Sequence, residues 1–269
     1  ARDVYKRQAY LWNDYWCVSM KSFTIVQNLL TALAIPLLSI IVGLAAIPGI
    51  YVFSGIISFI SGSNAIFYLN DIDIIPLEKA AILGIALGMG AMTWGITLVI
   101  GCGVLGGLFR PRLEAGRYPL QSFVTIQWAW SMIFHRIALF FLPFLVPSFL
   151  GNTYYWLSGA KLGVGVQINS AHLNDAGSVT LGDRVVVGGN AIINAHLTEK
   201  GELVMAPVII GNDALIGMGS VIQPGCTIGE GAVIASRAVV PKWTNIPQGE
   251  VWAGVPAKCI RLADGSKPE

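Results

Sequence analysis

The chain has three histidines, and two of them open matching segments: His172-Leu173-Asn174-Asp175-Ala176-Gly177 and His196-Leu197-Thr198-Glu199-Lys200-Gly201. Imidazole is well matched to removing a proton from an attacking hydroxyl or amine, because its pKa lies near working pH. Where such an attack falls on a carbonyl, the oxyanion formed needs donors, and backbone N–H groups can supply them. Asp175 and Glu199 are acidic residues that can orient a histidine, although most such residues are merely solvated. The plainer account of His196 is a loop-exit histidine that caps local backbone groups. His172 is open between orienting substrate, sharing a proton with His196, and local packing. His135, beside Arg136 in an aromatic stretch, is expected at a headgroup boundary. No Ser-His-Asp spacing or reactive cysteine competes, and the four cysteines show no metal-ligand or disulfide pattern.

Both segments interrupt a repeat. Ile210, Ile216, Ile222, Ile228, Ile234 and Val240 recur every six residues, with the small residues Ala214, Ser220, Cys226, Ala232 and Ala238 four positions after the first five. This period fits neither a helix nor a free strand. It predicts one short strand and one corner per unit, with the aliphatic pointing into a narrow prism of parallel strands. The phase continues upstream through Leu162, Ile168, Leu181, Val187 and Ile193. The excess length before Leu181 and before Ile210 is expected to form loops leaving the prism, at 173–180 and 197–207. On that count His172 and His196 share an edge, about one coil apart.

The first 160 residues are a different material. No charged residue occurs from Ser22 to Asn70 or from Ala80 to Phe109, and a chain that is 54% hydrophobic and 12% charged is too apolar for an ordinary soluble domain. Helices are expected over 24–60 and 80–109, each long enough for a bilayer. Pro48–Ile60 is read as re-entrant, kinked or interfacial. Lys21, Arg110, Arg112 and Arg117 flank the pair and Asp71, Asp73 and Glu78 lie between, so the positive-inside rule favours two net crossings over three, with both outer flanks cytoplasmic. Gly84/Gly88 and Gly103/Gly107 allow close helix approach. The segment 118–160, with three prolines, Arg136 and scattered Trp and Tyr, reads as a helix embedded in one leaflet. Residues 1–20, ahead of Met20-Lys21, are set apart as part of a longer chain or as foreign sequence. The division is therefore 1–20, a transmembrane region 21–117, an aromatic interfacial segment 118–160, the prism 161–262 and a tail 263–269. The formal charge of +2 says little, and no nucleic-acid partner is expected. Arg237, Lys242, Lys258, Arg261 and Lys267 crowd the C-terminal end as a solvated rim, a headgroup contact or an anion site.

The runs Ala206–Gly217, Pro224–Gly229 and Ala253–Arg261 resemble the left-handed β-helix acyltransferases, most closely the sugar and maltose O-acetyltransferase branch. The likeness covers about Lys161 to Leu262. With the apolar helices read above, the fold expected is membrane α-helices followed by an all-β left-handed parallel β-helix, and the likeness implies a homotrimer with acyl-CoA, acetyl-CoA above all, held between neighbouring prisms without a required metal. It also implies His196 as general base with His172 as a second candidate, and cofactor contacts from Gly217, Ser220, Arg237, Pro256, Ala257, Lys258 and Arg261. The family's tryptophan before Ile-Gly is Leu215 here, and its turn asparagine is Val255. The layout, and the passage Phe149–Gly163, also resemble a C-terminal membrane unit of poly-lysine-synthetase-type peptide synthetases. A membrane-anchored acyltransferase with a lipid-linked or carrier-bound acceptor and a cytoplasmic prism is thus weighed against a docking or ligase module of such a synthetase. The γ-type carbonic anhydrases share the prism but hold zinc with three histidines, and only two lie in the prism here.

Overall fold

The computed structural model describes residues 2–62, 64–65, 76–111 and 115–268, with side chains in the first helix at 25, 28, 29 and from 31 onward. Asp71, Asp73 and Arg112, used above to orient the helices, lie outside the described residues. Helix α1 (Arg2–Ser61) runs unbroken through Pro36 and Pro48, and α2 (Leu77–Phe109) returns antiparallel beside it. The expected break at Pro48–Ile60 is not there. Gly49 and Gly90 let the two backbones meet, since a Cβ on Gly49 would stand 2.5 Å from the Gly90 carbonyl oxygen. Packing at that point supports the turn that Pro48 weakens. The Trp94 indole N–H donates to the Val42 carbonyl at 3.2 Å, a second tie. By length and composition, Thr31–Ser61 and Leu77–Phe109 can each cross a membrane. Leu33, Ile40, Leu44 and Phe59 are exposed on the outer surface of the pair. Of the two glycine pairs, Gly103 and Gly107 lie against Tyr154 and Leu157, whereas Gly84 and Gly88 have nothing within 4 Å.

A connector follows: strand β1 (Gly116–Pro119) and helices α3 (Phe123–Ala138), α4 (Leu142–Leu145) and α5 (Phe149–Leu157). Ser122 and Ser148 start α3 and α5 by accepting from the first free backbone N–H groups, at Thr125 and Leu150. Phe109 of α2 packs on Trp130 and Phe134 of α3, with ring centroids 6.2 and 5.7 Å apart. Helix α5 covers the open end of the prism, where the Asn152 amide donates to the Val166 carbonyl and the Tyr155 hydroxyl to that of Ser170. A capped end is what a stack of coils requires. Tyr154 and Tyr155, expected among headgroup aromatics, are instead fully buried in this contact, while Trp156 is exposed.

The prism has three parallel faces. The first pairs β2 (Lys161–Leu162), β4 (Val179–Leu181), β9 (Val208–Ile210), β12 (Thr227–Ile228) and β15 (Asn245–Ile246). The second pairs β3 (Gln167–Ile168), β5 (Val186–Val187), β10 (Leu215–Ile216), β13 (Val233–Ile234) and β16 (Val251–Gly254), with β17 (Ala257–Arg261) folding back antiparallel at the end. The third pairs β6 (Ile192–Ile193), β11 (Val221–Ile222) and β14 (Val239–Val240). All six aliphatics that first revealed the repeat are at most 1% exposed. Burial of each contributes about 1.5–3 kcal/mol.

Both expected loops take a different form. Leu173 is fully buried and bridges in parallel to Ile193, so the stretch before Leu181 is the third side of the first coil with one additional residue. Segment 197–207 is mostly a hairpin, β7 (His196–Glu199) with β8 (Glu202–Met205), which β1 extends to three antiparallel strands. Most corners carry a left-handed residue three positions after the inward aliphatic: Gly165, Gly219, Gly225, Gly231 and Gly249, but also Arg184, Asn190, Asp213, Arg237 and Trp243. The fixed small residue sits one position later, buried under that turn.

Candidate active site

His196 and Asp175 meet where the third face turns into the first. The parallel pairing of Leu173 with Ile193 places Asp175 level with Ala195, and the Ala195 N–H donates to Asp175 Oδ2 at 3.2 Å. The same oxygen lies 2.5 Å from His196 Nδ1. A carboxylate only accepts, so in the neutral imidazole Nδ1 is the nitrogen that carries the proton and Nε2 keeps its lone pair. Asp175 Oδ1 accepts from the indole N–H of Trp128 at 2.8 Å, and the Trp128 ring packs against the imidazole, tilted by 60° with centroids 4.7 Å apart. The carboxylate side chain is 2% exposed and the imidazole 21%. The geometry is that of an oriented base: a buried acid fixes one nitrogen, and the ring remains reachable from solvent.

Among the described residues no hydrogen bond joins His172 to His196, and Asp175 is the partner of the His196 ring. The His172 carbonyl accepts from the Ile193 N–H, and its own N–H donates to Ser170 Oγ. Glu199 does not orient a histidine either. It accepts from Lys242 Nζ at 2.6 Å and pairs with Arg117, whose other branch reaches Glu202 at 3.0 Å. Lys242 first, then Arg117, hold the Glu199 carboxyl below its ordinary range. These pairs tie β1, the hairpin and a late coil together beside the dyad.

The seven residues matched to cofactor contacts lie elsewhere. Gly217, Ser220 and Arg237 are at the corner between the second and third faces, and Pro256, Ala257, Lys258 and Arg261 are at the β16–β17 end. Arg237, Pro256, Lys258 and Arg261 are exposed, whereas Ala257 is buried. Ser220 is fully buried and donates to the Gly217 carbonyl at 2.8 Å. A single chain therefore keeps these residues at a different corner from His196. Among the described residues, no three His, Cys, Asp or Glu side chains converge as a metal site would require.

Behind Asp175 is a cavity of about 30 Å³ lined by Trp128, Ser131, Met132 and His135 of α3 and by Arg110, Tyr154 and Ser158. His135 Nδ1 is 2.7 Å from the Tyr154 hydroxyl, while its buried Nε2 has no hydrogen-bond partner among the described residues. His135 is thus a core residue, not a boundary one. Burial pushes its pKa down to about 4, against a smaller opposing pull from Asp175. Between about pH 6.5 and 4 the unfolded chain then binds a proton that the folded chain does not, so stability falls as pH falls through that window. The full effect is about 3 kcal/mol. His135→Phe is expected to flatten the fall in apparent Tm over that range, and an unchanged slope in the variant would refute this assignment.

Residues 207–242 match the bacterial transferase hexapeptide, six repeats. The three-faced parallel prism is thus built of hexapeptide repeats. Among solved structures, a hexapeptide-repeat acetyltransferase from Vibrio cholerae, in complex with acetyl coenzyme A, is 22% identical with a TM-score of 0.38, covering 45% of this chain and 83% of that one. A galactoside acetyltransferase in complex with coenzyme A is 25% identical with a TM-score of 0.38, covering 48% and 80%. Among curated proteins, the delta-poly-L-ornithine synthetase of Acinetobacter baumannii is 30% identical over 152 residues, which is 56% of this chain and 11% of the synthetase. The chain thus matches only about a tenth of that relative's length. An aligned stretch of 152 residues is longer than the hexapeptide prism, so this likeness extends beyond the repeats.

Trp128 is the site residue that sequence reasoning missed. Its only signal was the spacing of Trp128, Ser131, Met132 and His135 along one helical face.

Proposed function

We propose that the protein is a membrane-anchored acyltransferase that moves an acyl group from acyl-CoA, or from a carrier-bound thioester, to a hydroxyl or amine. The observation that carries this reading is the Asp175–His196 pair, with Nδ1 held and Nε2 left as acceptor. Nε2 takes the proton of the attacking hydroxyl or amine as its oxygen or nitrogen bonds to the thioester carbonyl carbon. The carbon–sulfur bond then breaks, and the proton passes to the leaving thiolate. The two apolar helices favour an acceptor that is lipid-linked or made at the bilayer, with the prism on the cytoplasmic side. A trimer would bring the exposed Arg237, Lys258 and Arg261 of one prism to another edge of its neighbour, which supplies acyl-CoA contacts that one chain lacks.

A second reading, a docking or ligase module of a membrane-bound peptide synthetase, is favoured by the 152-residue likeness to the poly-ornithine synthetase. Both readings predict membrane association, so the acyl donor separates them. The detergent-purified full chain is expected to bind acetyl-CoA and to release free thiol when an amine such as ornithine, or a galactoside, is added. Absence of acetyl-CoA binding would remove acetyl-CoA as donor and favour the synthetase module, whose ligand is then a carrier protein.

A further inference from the structure

Two of the three groups that define the site belong to the prism, and the third does not. Trp128 sits on α3, ahead of the first coil, yet its indole N–H fills the remaining carboxylate oxygen of Asp175 at 2.8 Å. Its ring also bounds the His196 imidazole, at 4.7 Å between centroids. Asp175 Oδ2 already serves both the His196 ring and the Ala195 N–H, and the side chain is 2% exposed. Water therefore has little access to Oδ1, and Trp128 is the donor that the structure provides for it. The opposite face of α3 is clamped to α2 through Phe109, Trp130 and Phe134. The position of Trp128 is thus set by the same helix that packs on the apolar pair.

We infer that Trp128 is a positioning residue of the acyl-transfer site: it fixes the Asp175 carboxylate, and through it the tautomer and angle of His196, so that the helical part of the chain completes the dyad. The inference rests on the transferase reading above. It separates two functions of the indole. The N–H acts on Asp175 alone, whereas the ring packs on His196, and phenylalanine removes the first while keeping most of the second.

The test is a double-mutant cycle on the full chain in detergent, with acetyl-CoA as donor. Trp128→Phe is expected to lower kcat roughly ten- to hundredfold, as for loss of a hydrogen bond to a charged group, with KM for acetyl-CoA within about twofold. In an Asp175→Asn background the same change is expected to cost less than about twofold, because the carboxylate hold on His196 through which Trp128 acts is already lost. Equal losses in both backgrounds, or a Trp128→Phe enzyme with wild-type kcat, would overturn the inference. So would a variant that no longer binds acetyl-CoA, since Trp128 would then be holding the fold. His196→Ala serves as the control on the underlying reading: full turnover in that variant would reject the transferase mechanism itself, whereas its loss beside an unaffected Trp128→Phe would reject only the role of Trp128.

Discussion

Replacing His196 by alanine is expected to lower kcat for acyl transfer roughly 10²–10⁴-fold while acetyl-CoA binds as before. The magnitude is that of general-base assistance, because Glu199, at the far end of the same strand, is held by Lys242 and Arg117. The imidazole also packs on the Trp128 ring, so unchanged acetyl-CoA binding is the control that its truncation leaves the fold intact. Asp175→Asn is expected to fall in the same direction for a different reason. An amide can present its N–H groups to Nδ1, which favours the tautomer with the proton on Nε2 and so blocks the lone pair that takes the acceptor's proton. Saturation kinetics and calorimetric acetyl-CoA binding on the same preparations check both variants. A His196→Ala protein that keeps wild-type kcat would end this mechanism, and one that loses binding would instead make His196 a ligand contact.

The prism was legible in the sequence because its physics is periodic. A six-residue spacing of aliphatics fixes which side chains face inward, and Ile210 through Val240 all do. The loops were misread for the same reason, because counting in units of six treats any excess as an excursion. In the first coil, the stretch from Ile168 to Leu181 contains a complete side centred on Leu173, whose leucine carries the repeat one position out of phase. Treating that whole side as an excursion places His172 on the edge that belongs to Asp175. The dyad itself is set by pairing between coils, which brings together residues 21 positions apart, and no local motif encodes it. Trp128 is further still from recognition, since its role depends on how α3 docks on the prism. The corner rule was also present and overlooked. Glycine three positions after the aliphatic alternates with Arg, Asn, Asp and Trp, so the left-handed turn shows in the backbone more evenly than in the residue types.

Gly217→Ala should destabilise the prism by about 3 kcal/mol or more, a loss of fold and not of ligand contact. The resemblance assigned Gly217 to the cofactor, but its surroundings are the next coil. A Cβ there would stand 2.5 Å from the Ser236 backbone nitrogen and 2.6 Å from the Ala235 carbonyl carbon and the Ile234 carbonyl oxygen. None of these atoms can rotate aside, and Gly217 itself donates to the Ile234 carbonyl at 2.8 Å, so relief requires the two coils to separate and weakens a ladder hydrogen bond. Gly231 makes the useful contrast. It occupies the left-handed corner position at φ 64° with nothing within 4 Å of its would-be Cβ. Alanine there meets only the backbone preference, about 1–2 kcal/mol, which Arg237 and Asp213 already bear at equivalent corners. Thermal unfolding of the full chain in detergent should therefore rank Gly217→Ala well below Gly231→Ala. If Gly217→Ala keeps the wild-type Tm but loses acetyl-CoA affinity, the glycine belongs to the ligand after all, and the close stacking of the coils would have to yield more than backbone geometry allows.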